Sequence, residues 1–406
     1  MQALQHVETE AGVSHARRFD RVALCSIWGD PSDARVWSAA PFNLGNALER
    51  QGIDVVRLSC APEPAALGML ALGYAMHGYG IPPSREAILR SAAARRLASG
   101  RLQRELRARG VGHVLHTGLL DVPLQHMSGN IRHYLYCDDD WALSFAYRPD
   151  RERYPPACVE AFAALDRQAM ANVAHVFTFS RNLRRHMMAH YRLPPDRVTA
   201  VGCGMGRIEP YYGAKHYGSG RILFVAKHLF AQKGGLLLLE AFRLARLKLP
   251  YLTLTIVGDS RSRALVGDAA GVELRDHLPW EELQELYRQS ALLAQPMLND
   301  PWGQVYVEAL ASRTPVLGLE RNGLPEILED GRHGFLVREA TPDAIAAALV
   351  AAMGDPARLG RMGQSGQKHV LKTYTWEEVA RRIAHVEPCS GVAPARAGIF
   401  RATVNE

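Results

Sequence analysis

With 406 residues, 48% of them hydrophobic, 22% charged and 8% aromatic, the chain exceeds one core and reads as two ordinary globular domains. A small disulfide-stapled scaffold and a disordered or fibrous chain are excluded. Lysine plus arginine (48) over aspartate plus glutamate (41) leaves +7, a mild surplus that suits phosphate-bearing partners but fits a plain cytoplasmic enzyme equally well.

The N-terminal run carries acids and no apolar core, the pattern of neither a signal peptide nor a transit sequence. A strand over Arg21–Ile27, a helix over Pro41–Gln51 and a strand over Asp54–Leu58 open the first domain. Pro64–Ser84 has no formal charge, but its glycines, prolines and His77 break it. Its dense part, Ala65–Met76, is too short to span a bilayer and reads as a buried or interfacial helix. Next come eight arginines between Arg85 and Arg109 against Glu86 and Glu105, on a helix pair expected to divide at Gly100. That run is either a solvated face or a surface for anionic headgroups. Strands are expected at Val111–Leu115, His133–Cys137 and His175–Phe179, with a helix over Val159–Ala171 before the last.

The polar, Tyr/Gly-rich Glu209–Ser219 reads as a linker. After it come a strand at Ile222–Ala226, an amphipathic helix stopped by Pro250 and a strand at Leu252–Val257. Further strands are expected at Leu292–Gln295, Pro315–Gly318 and Gly334–Val337, before a helical end from Pro342 to about His385. Strands alternating with helices mean parallel sheets, whose ligand crevice lies beyond the carboxyl ends of the strands. The expected division is 18–208, linker 209–219, 220–375, a C-terminal helix 376–388 packing back on the first domain, and a tail 389–406.

The run Gln295–Gly323 carries the most chemistry. Asp300 precedes Glu308 by eight residues across Pro301-Trp302-Gly303. A helix starting near Gly303 would turn unpaired N–H groups and a positive dipole end toward a phosphate. Glu308 could accept from ribose hydroxyls, and Asp300 could hold a sugar. The bland alternative is a helix-capping acid and a surface glutamate. Lys227 and Lys233 flank the loop after the first strand of the same domain, where cations suit a diphosphate leaving group.

These pieces, FVAKHLFAQKGGLLLLEAF, LTIVGD, DPWGQVYVEALA and NGLPEILEDGRHGFLV, stand in the order found in the retaining GT-B glycosyltransferases of the group 1 (family 4) type, which the chain resembles. The likeness spans about Arg21–Val386 and is strong from Ser180 onward. It implies two Rossmann-like domains facing a cleft, a UDP- or GDP-sugar donor as substrate with no further cofactor, and retention of configuration without metal. It also implies a sugar, polysaccharide or lipid-linked acceptor, a part in cell-surface polysaccharide or glycolipid synthesis, and no nucleic acid. By the same likeness Lys233, Lys227, Asp300 and His116 are the catalytic candidates. Glu308, Gly303, Trp302, Gly29, His228 and Gly323 are the donor-binding ones. Asp300 stands where the family usually has glutamate, His228 holds the usual offset of the first basic residue, and His116-Thr117-Gly118 keeps only the first of a His-x-His pair. By its residues alone His116 reads equally as a satisfied interior histidine.

Two other motifs are set aside. Asp138-Asp139-Asp140 contains Asp-x-Asp, a metal-binding pattern elsewhere, but acceptor binding or strand-end capping by Asp138 and Asp139 suits this plan better. The Gly202–Gly206 run has Arg207 where a dinucleotide fingerprint needs glycine. The six cysteines are scattered without redox or zinc spacing, which fits a reducing compartment. The expected location is cytoplasmic, with peripheral membrane contact through 64–110 as an added use. Two rival readings are a catalytically weak sugar-nucleotide binder and a membrane-docked assembly component.

Overall fold

The structure is a computed structural model that describes residues 17–79, 82, 84–127, 129–148, 150–226, 229–258 and 260–385. Twelve strands form two six-stranded sheets, every pair parallel. The first holds β1 (Arg21–Ser26), β2 (Asp54–Ser59), β3 (His113–His116), β4 (Arg132–Cys137), β5 (Val173–Thr178) and β6 (Val198–Ala200), in the order β2-β1-β3-β4-β5-β6. The second holds β7 (Arg221–Ala226), β8 (Thr253–Gly258), β9 (Val272–Arg275), β10 (Leu292–Ala294), β11 (Val316–Leu319) and β12 (Gly334–Val337), in the order β12-β11-β10-β7-β8-β9. Central strands such as β1 and β7 are buried at every position after the first, because helices cover both faces. Strand order reverses between β1 and β3 and between β7 and β10, so each sheet opens a crevice there.

The short strands β6 and β9 lie at sheet edges and were not anticipated. The expected helix break at Gly100 is corrected. Gly100 sits inside the helix Ala92–Arg109, and the chain divides at Ser91, whose extended backbone and hydroxyl cap the N–H of Ala94 at 3.3 Å. The arginine run is corrected too. Arg90 and Arg95 lie in the interior: Arg95 meets Asp166 at 2.6 Å and the Leu119 carbonyl at 2.9 Å, while Arg90 meets Glu86 at 2.8 Å and stacks over Trp141. Arg85, Arg96, Arg104, Arg107 and Arg109 remain exposed.

The apolar stretch forms the helix Pro64–Tyr74 and a wide turn to Tyr79, and of the helix only Tyr74 is buried. Met69, Leu72 and Met76 stand 70%, 64% and 79% exposed, which removes the buried-helix alternative. Among the described residues no helix is long and apolar enough to cross a membrane.

One apolar cluster runs through both sheets. Trp37 and Tyr136 pack on Phe179, Phe179 meets Trp302 edge-on, and Trp302 meets Tyr374 edge-on at 5.1 Å. The helix Trp376–His385 belongs to the same seam. Arg18 N–H donates to the Ala384 carbonyl at 2.8 Å, Gln51 Nε2 to the Glu377 carbonyl at 2.7 Å, and the Trp376 indole to Met205 across the connection between domains. Between β6 and β7, Lys215 Nζ donates to the carbonyls of Tyr287 and Ser312 and to the Thr314 hydroxyl.

Candidate functional site

The loop after β7 and the loop after β10 meet at the switch point of the second sheet. The Leu298 N–H donates to the Gln232 carbonyl at 3.0 Å, and the Gln295 side chain accepts from the Val225 N–H at 2.9 Å. Gly234 makes the approach feasible: its backbone is left-handed (φ +85°), and a Cβ there would lie 1.9 Å from the Pro296 carbonyl oxygen. This brings Lys233 and Asp300 into direct contact, ammonium against Oδ2. The other carboxylate oxygen of Asp300 accepts from the N–H groups of Trp302 (3.1 Å) and Gly303 (2.7 Å), and Asn322 Nδ2 donates to the Asp300 carbonyl at 3.0 Å. Both charged side chains stay partly open, 24% and 18% exposed.

Gly303, left-handed at φ +76°, starts the helix Gln304–Ala311, and no side chain caps it. A Cβ there would strike the Tyr306 ring at 2.4 Å. The helix therefore begins beside Asp300 with its positive end turned toward the loops. Glu308, one turn further in, is almost wholly buried. Tyr287 donates its hydroxyl to Glu308 Oε2 at 3.1 Å, and Gly206 of the interdomain connection lies so close that a Cβ would sit 2.3 Å from Oε1. Trp302 is buried in the interdomain aromatic seam with its indole N–H enclosed, so its ring serves packing, and Gly323 lies flat against it. Lys227 and His228 lie outside the described residues.

The first domain answers with the loops after β1, β3 and β4. Gly29 lies against Val36, and Trp37, Ser38 and Ala39 all take left-handed backbones ahead of the helix Ala40–Arg50. Three such residues in sequence store strain of the kind met at ligand clamps. His116 sits at the carboxyl end of β3 but is sealed inside. Nε2 lies 2.9 Å from His133 Nδ1, and Nδ1 lies 3.6 Å from the buried Asp121 carboxylate. Burial holds the His133 ring neutral and raises the Asp121 carboxyl, so the group is an interior polar network in this arrangement.

Sequence reasoning missed the weight of Asp138. At the carboxyl end of β4 it is half-buried, and its carboxyl is pushed up to about 6, first by burial and then by the negative charge of Asp300, with Lys233 pulling the other way. The first domain thus places a carboxyl within electrostatic reach of the Lys233–Asp300 pair. Its signal was the position one residue past a strand next to the switch point, not the Asp-x-Asp spacing. The capping role expected of Asp138 and Asp139 falls instead to Asp140, whose Oδ1 accepts from Leu143 N–H at 2.8 Å while Oδ2 meets His186 at 3.0 Å. The arrangement can bind an anion between Lys233 and a helix N-terminus, with carboxyl groups on two sides for hydroxyl groups.

Residues 219–355 match the family model described as "Glycosyl transferases group 1". A D-inositol 3-phosphate glycosyltransferase from Corynebacterium glutamicum is 28% identical over 269 residues, which cover 60% of this chain and 63% of that protein. The chain thus spans less than two thirds of that relative. Among solved structures, sucrose-phosphate synthase from Thermosynechococcus elongatus superposes with a TM-score of 0.68 at 17% identity, over 90% of this chain and 97% of that one. Anabaena HepE, solved with UDP-glucose, gives 0.57 at 13% identity over 89% and 98%. These likenesses, at such identities, establish the two-domain GT-B fold.

Proposed function

We propose that the chain, whose residues 219–355 match the group 1 glycosyl transferases, moves a sugar from a nucleotide diphosphate-sugar to a hydroxyl acceptor and keeps the anomeric configuration. The observation that carries this is the Lys233–Asp300 pair, held at the switch point beside a helix N-terminus and within electrostatic reach of Asp138 of the other domain.

In this reading the donor's diphosphate takes the Lys233 ammonium from Asp300 and lies over the amides that start the helix Gln304–Ala311. As the bond from the anomeric carbon to the phosphate oxygen breaks, the negative charge that gathers on the leaving phosphate is met by Lys233 and the helix end. One such preorganised donor is worth about 2.7–4 kcal/mol. The departing phosphate oxygen takes the proton of the incoming hydroxyl on the same face, so no side-chain nucleophile and no metal is needed. Asp300, released from the lysine, holds sugar hydroxyls. Glu308 accepts from the ribose, which requires the connection at Gly206 to move aside. Lys227 or His228 supplies a second cation to the diphosphate, and the loop at Gly29 closes over it from the first domain.

The UDP-glucose complex of HepE favours a UDP-sugar for a fold of this kind, and a GDP-sugar is the alternative donor. The acceptor is a sugar, polysaccharide or lipid-linked hydroxyl. The exposed Met69, Leu72 and Met76 beside five exposed arginines support a peripheral stance on an anionic membrane, where a lipid-linked acceptor would lie.

A thermal-shift screen of sugar nucleotides tests the reading: one donor should raise the midpoint in wild type and much less in Lys233→Ala. No shift with any sugar nucleotide, from folded protein, would remove it.

A further inference from the structure

A second cluster of chemistry-bearing side chains lies away from the donor loops. Glu329 stands in the turn before β12, where Glu329 and Asp330 both take left-handed backbones (φ 45° and 54°). His333 follows at the entry to β12, and His369 projects from the helix Pro356–Thr373. One ligand atom from each of the three residues lies within 4.8 Å of the others. His333 Nε2 is 3.2 Å from Glu329 Oε2, His369 Nδ1 is 3.1 Å from Glu329 Oε1, and the two rings stack at 4.9 Å.

Such distances fit hydrogen bonds, but they also fit the edges of a tetrahedron whose centre lies about 2.0–2.1 Å from each ligand, which are about 3.3 Å long. Ser365 Oγ lies 3.2 Å from the Met362 carbonyl, to which it donates, and so can accept from His333 Nδ1, 3.0 Å away. The proton of a neutral His333 is then on Nδ1, and the Nε2 lone pair points at a carboxylate oxygen. Two lone pairs facing each other at 3.2 Å require a cation between them. A proton on His333 is one such cation; a metal ion is another, and it would also engage Nδ1 of His369, 3.1 Å from the second oxygen of the same carboxylate. Two neutral imidazoles and one carboxylate are the ligand set of a transition metal, and Ser365 is the outer partner that fixes ring tautomer in such sites. Nε2 of His369 is enclosed with no hydrogen-bond partner among the described residues, so the turn toward Glu329 through Nδ1 is that ring's only polar engagement.

We propose that Glu329, His333 and His369 form a site for a divalent transition metal of the zinc class, with a fourth position open on the side where Glu329 is exposed. Imidazole ligands select against magnesium and calcium. Arg332, exposed and 2.9 Å from Glu329 Oε2, swings off that oxygen when metal binds. The metal would pin the turn before β12 to the helix Pro356–Thr373. His369 packs edge-on to Tyr374, and Tyr374 packs edge-on to Trp302, so the pinned unit backs the loop that carries Asp300. The role is structural and makes no claim on the transfer step.

The test uses the full chain, stripped with a chelator, desalted and titrated with zinc sulfate, the retained metal being counted by elemental analysis after gel filtration. One zinc per chain is expected, with a raised melting midpoint. Cobalt(II) in its place should give the strong visible bands of a four-coordinate site, and magnesium should compete with neither. His369→Gln and Glu329→Gln should each weaken zinc binding at least tenfold. Ser365→Ala, which removes no ligand, should weaken it severalfold and covers the case in which a ligand variant fails to fold. A folded chain that retains no zinc overturns the proposal. So does zinc whose affinity is unchanged in His369→Gln, or in Ser365→Ala if that ligand variant does not fold, and so does zinc lost in Cys389→Ser.

Discussion

Two oppositely charged pairs of similar make-up do different work in the two domains. In the first, Arg95 and Asp166 are 1% and 2% exposed and lie between helices, far inside the arginine-rich stretch. In the second, Lys233 and Asp300 keep about a fifth of their surface open and sit where two parallel strands part. The buried pair is locked by further bonds, Arg95 to the Leu119 carbonyl and Asp166 also to Arg90. The open pair is held mainly from the aspartate side, through the amides of Trp302 and Gly303, which leaves the ammonium free to exchange partners. Charge in a sequence therefore says little until its depth and its distance from a strand's carboxyl end are known.

The contrast predicts which substitutions unfold the protein and which silence it. Arg95→Ala should have the largest effect on stability, about 3–5 kcal/mol, since it leaves Asp166 buried without its closest partner. Denaturant melts would show it, and a loss below about 1 kcal/mol would break the comparison. Lys233→Ala should lower turnover by about 10²–10³-fold while leaving the melting midpoint near that of wild type. Donor-dependent nucleotide release by the purified variant measures this, and an unchanged rate would remove the lysine from the transfer step.

Asp138 offers a subtler handle. Because its carboxyl is held up to about 6, it carries charge above that pH and is neutral below it. Ionised Asp138 adds a negative charge within reach of Asp300, where the proposed reading puts the diphosphate. Donor affinity should therefore tighten a few-fold as pH falls from about 7.5 to 5.5, and Asp138→Asn should be flat near the low-pH value. Calorimetric titrations across that range would expose a wrong assignment as a slope that survives the substitution.

The smallest effect is at the domain seam. Burial raises the Glu326 carboxyl to about 7, although it accepts from the Arg181 N–H at 2.8 Å across the interface. With a folded value above the unfolded one, its favourable contribution is full below about 4.5 and is lost as pH rises through 7. Glu326→Gln should thus be more stable than wild type near pH 8, with the gap closing toward pH 4.5. Equal midpoints at both ends would show that the group is not buried in solution.

Much of this plan could be read in advance, and the failures have physical causes. Five of the six strands of the second sheet declare themselves as short apolar runs near Gly, Pro or Asp. β9 and β6 do not, because edge strands are half-wet and carry mixed residues such as Val272–Arg275. Gly100 looked like a break, yet a helix tolerates one glycine for about 1 kcal/mol, while Ser91 offered a side-chain cap. In the site, the meeting of Lys233, Asp300 and Gly303 was legible because their placement follows from chain order after a strand. His116 and Trp302 were not, because their surroundings are set by residues far away in the chain: His133 and Asp121 for one, Phe179 and Tyr374 for the other.

By itself the sequence determined the two parallel α/β sheets and the order of the motifs that follow their strands, since hydrophobic period and strand-end position are local properties. Only the tertiary structure decided that Arg90 and Arg95 are interior and that Asp138 comes within electrostatic reach of Lys233 and Asp300. It alone sealed His116 and brought Glu329, His333 and His369 together. Burial and charge proximity arise from packing between segments tens to hundreds of residues apart, and they set which of several similar side chains keeps an ordinary charge, which is neutralised, and which is left open to a ligand.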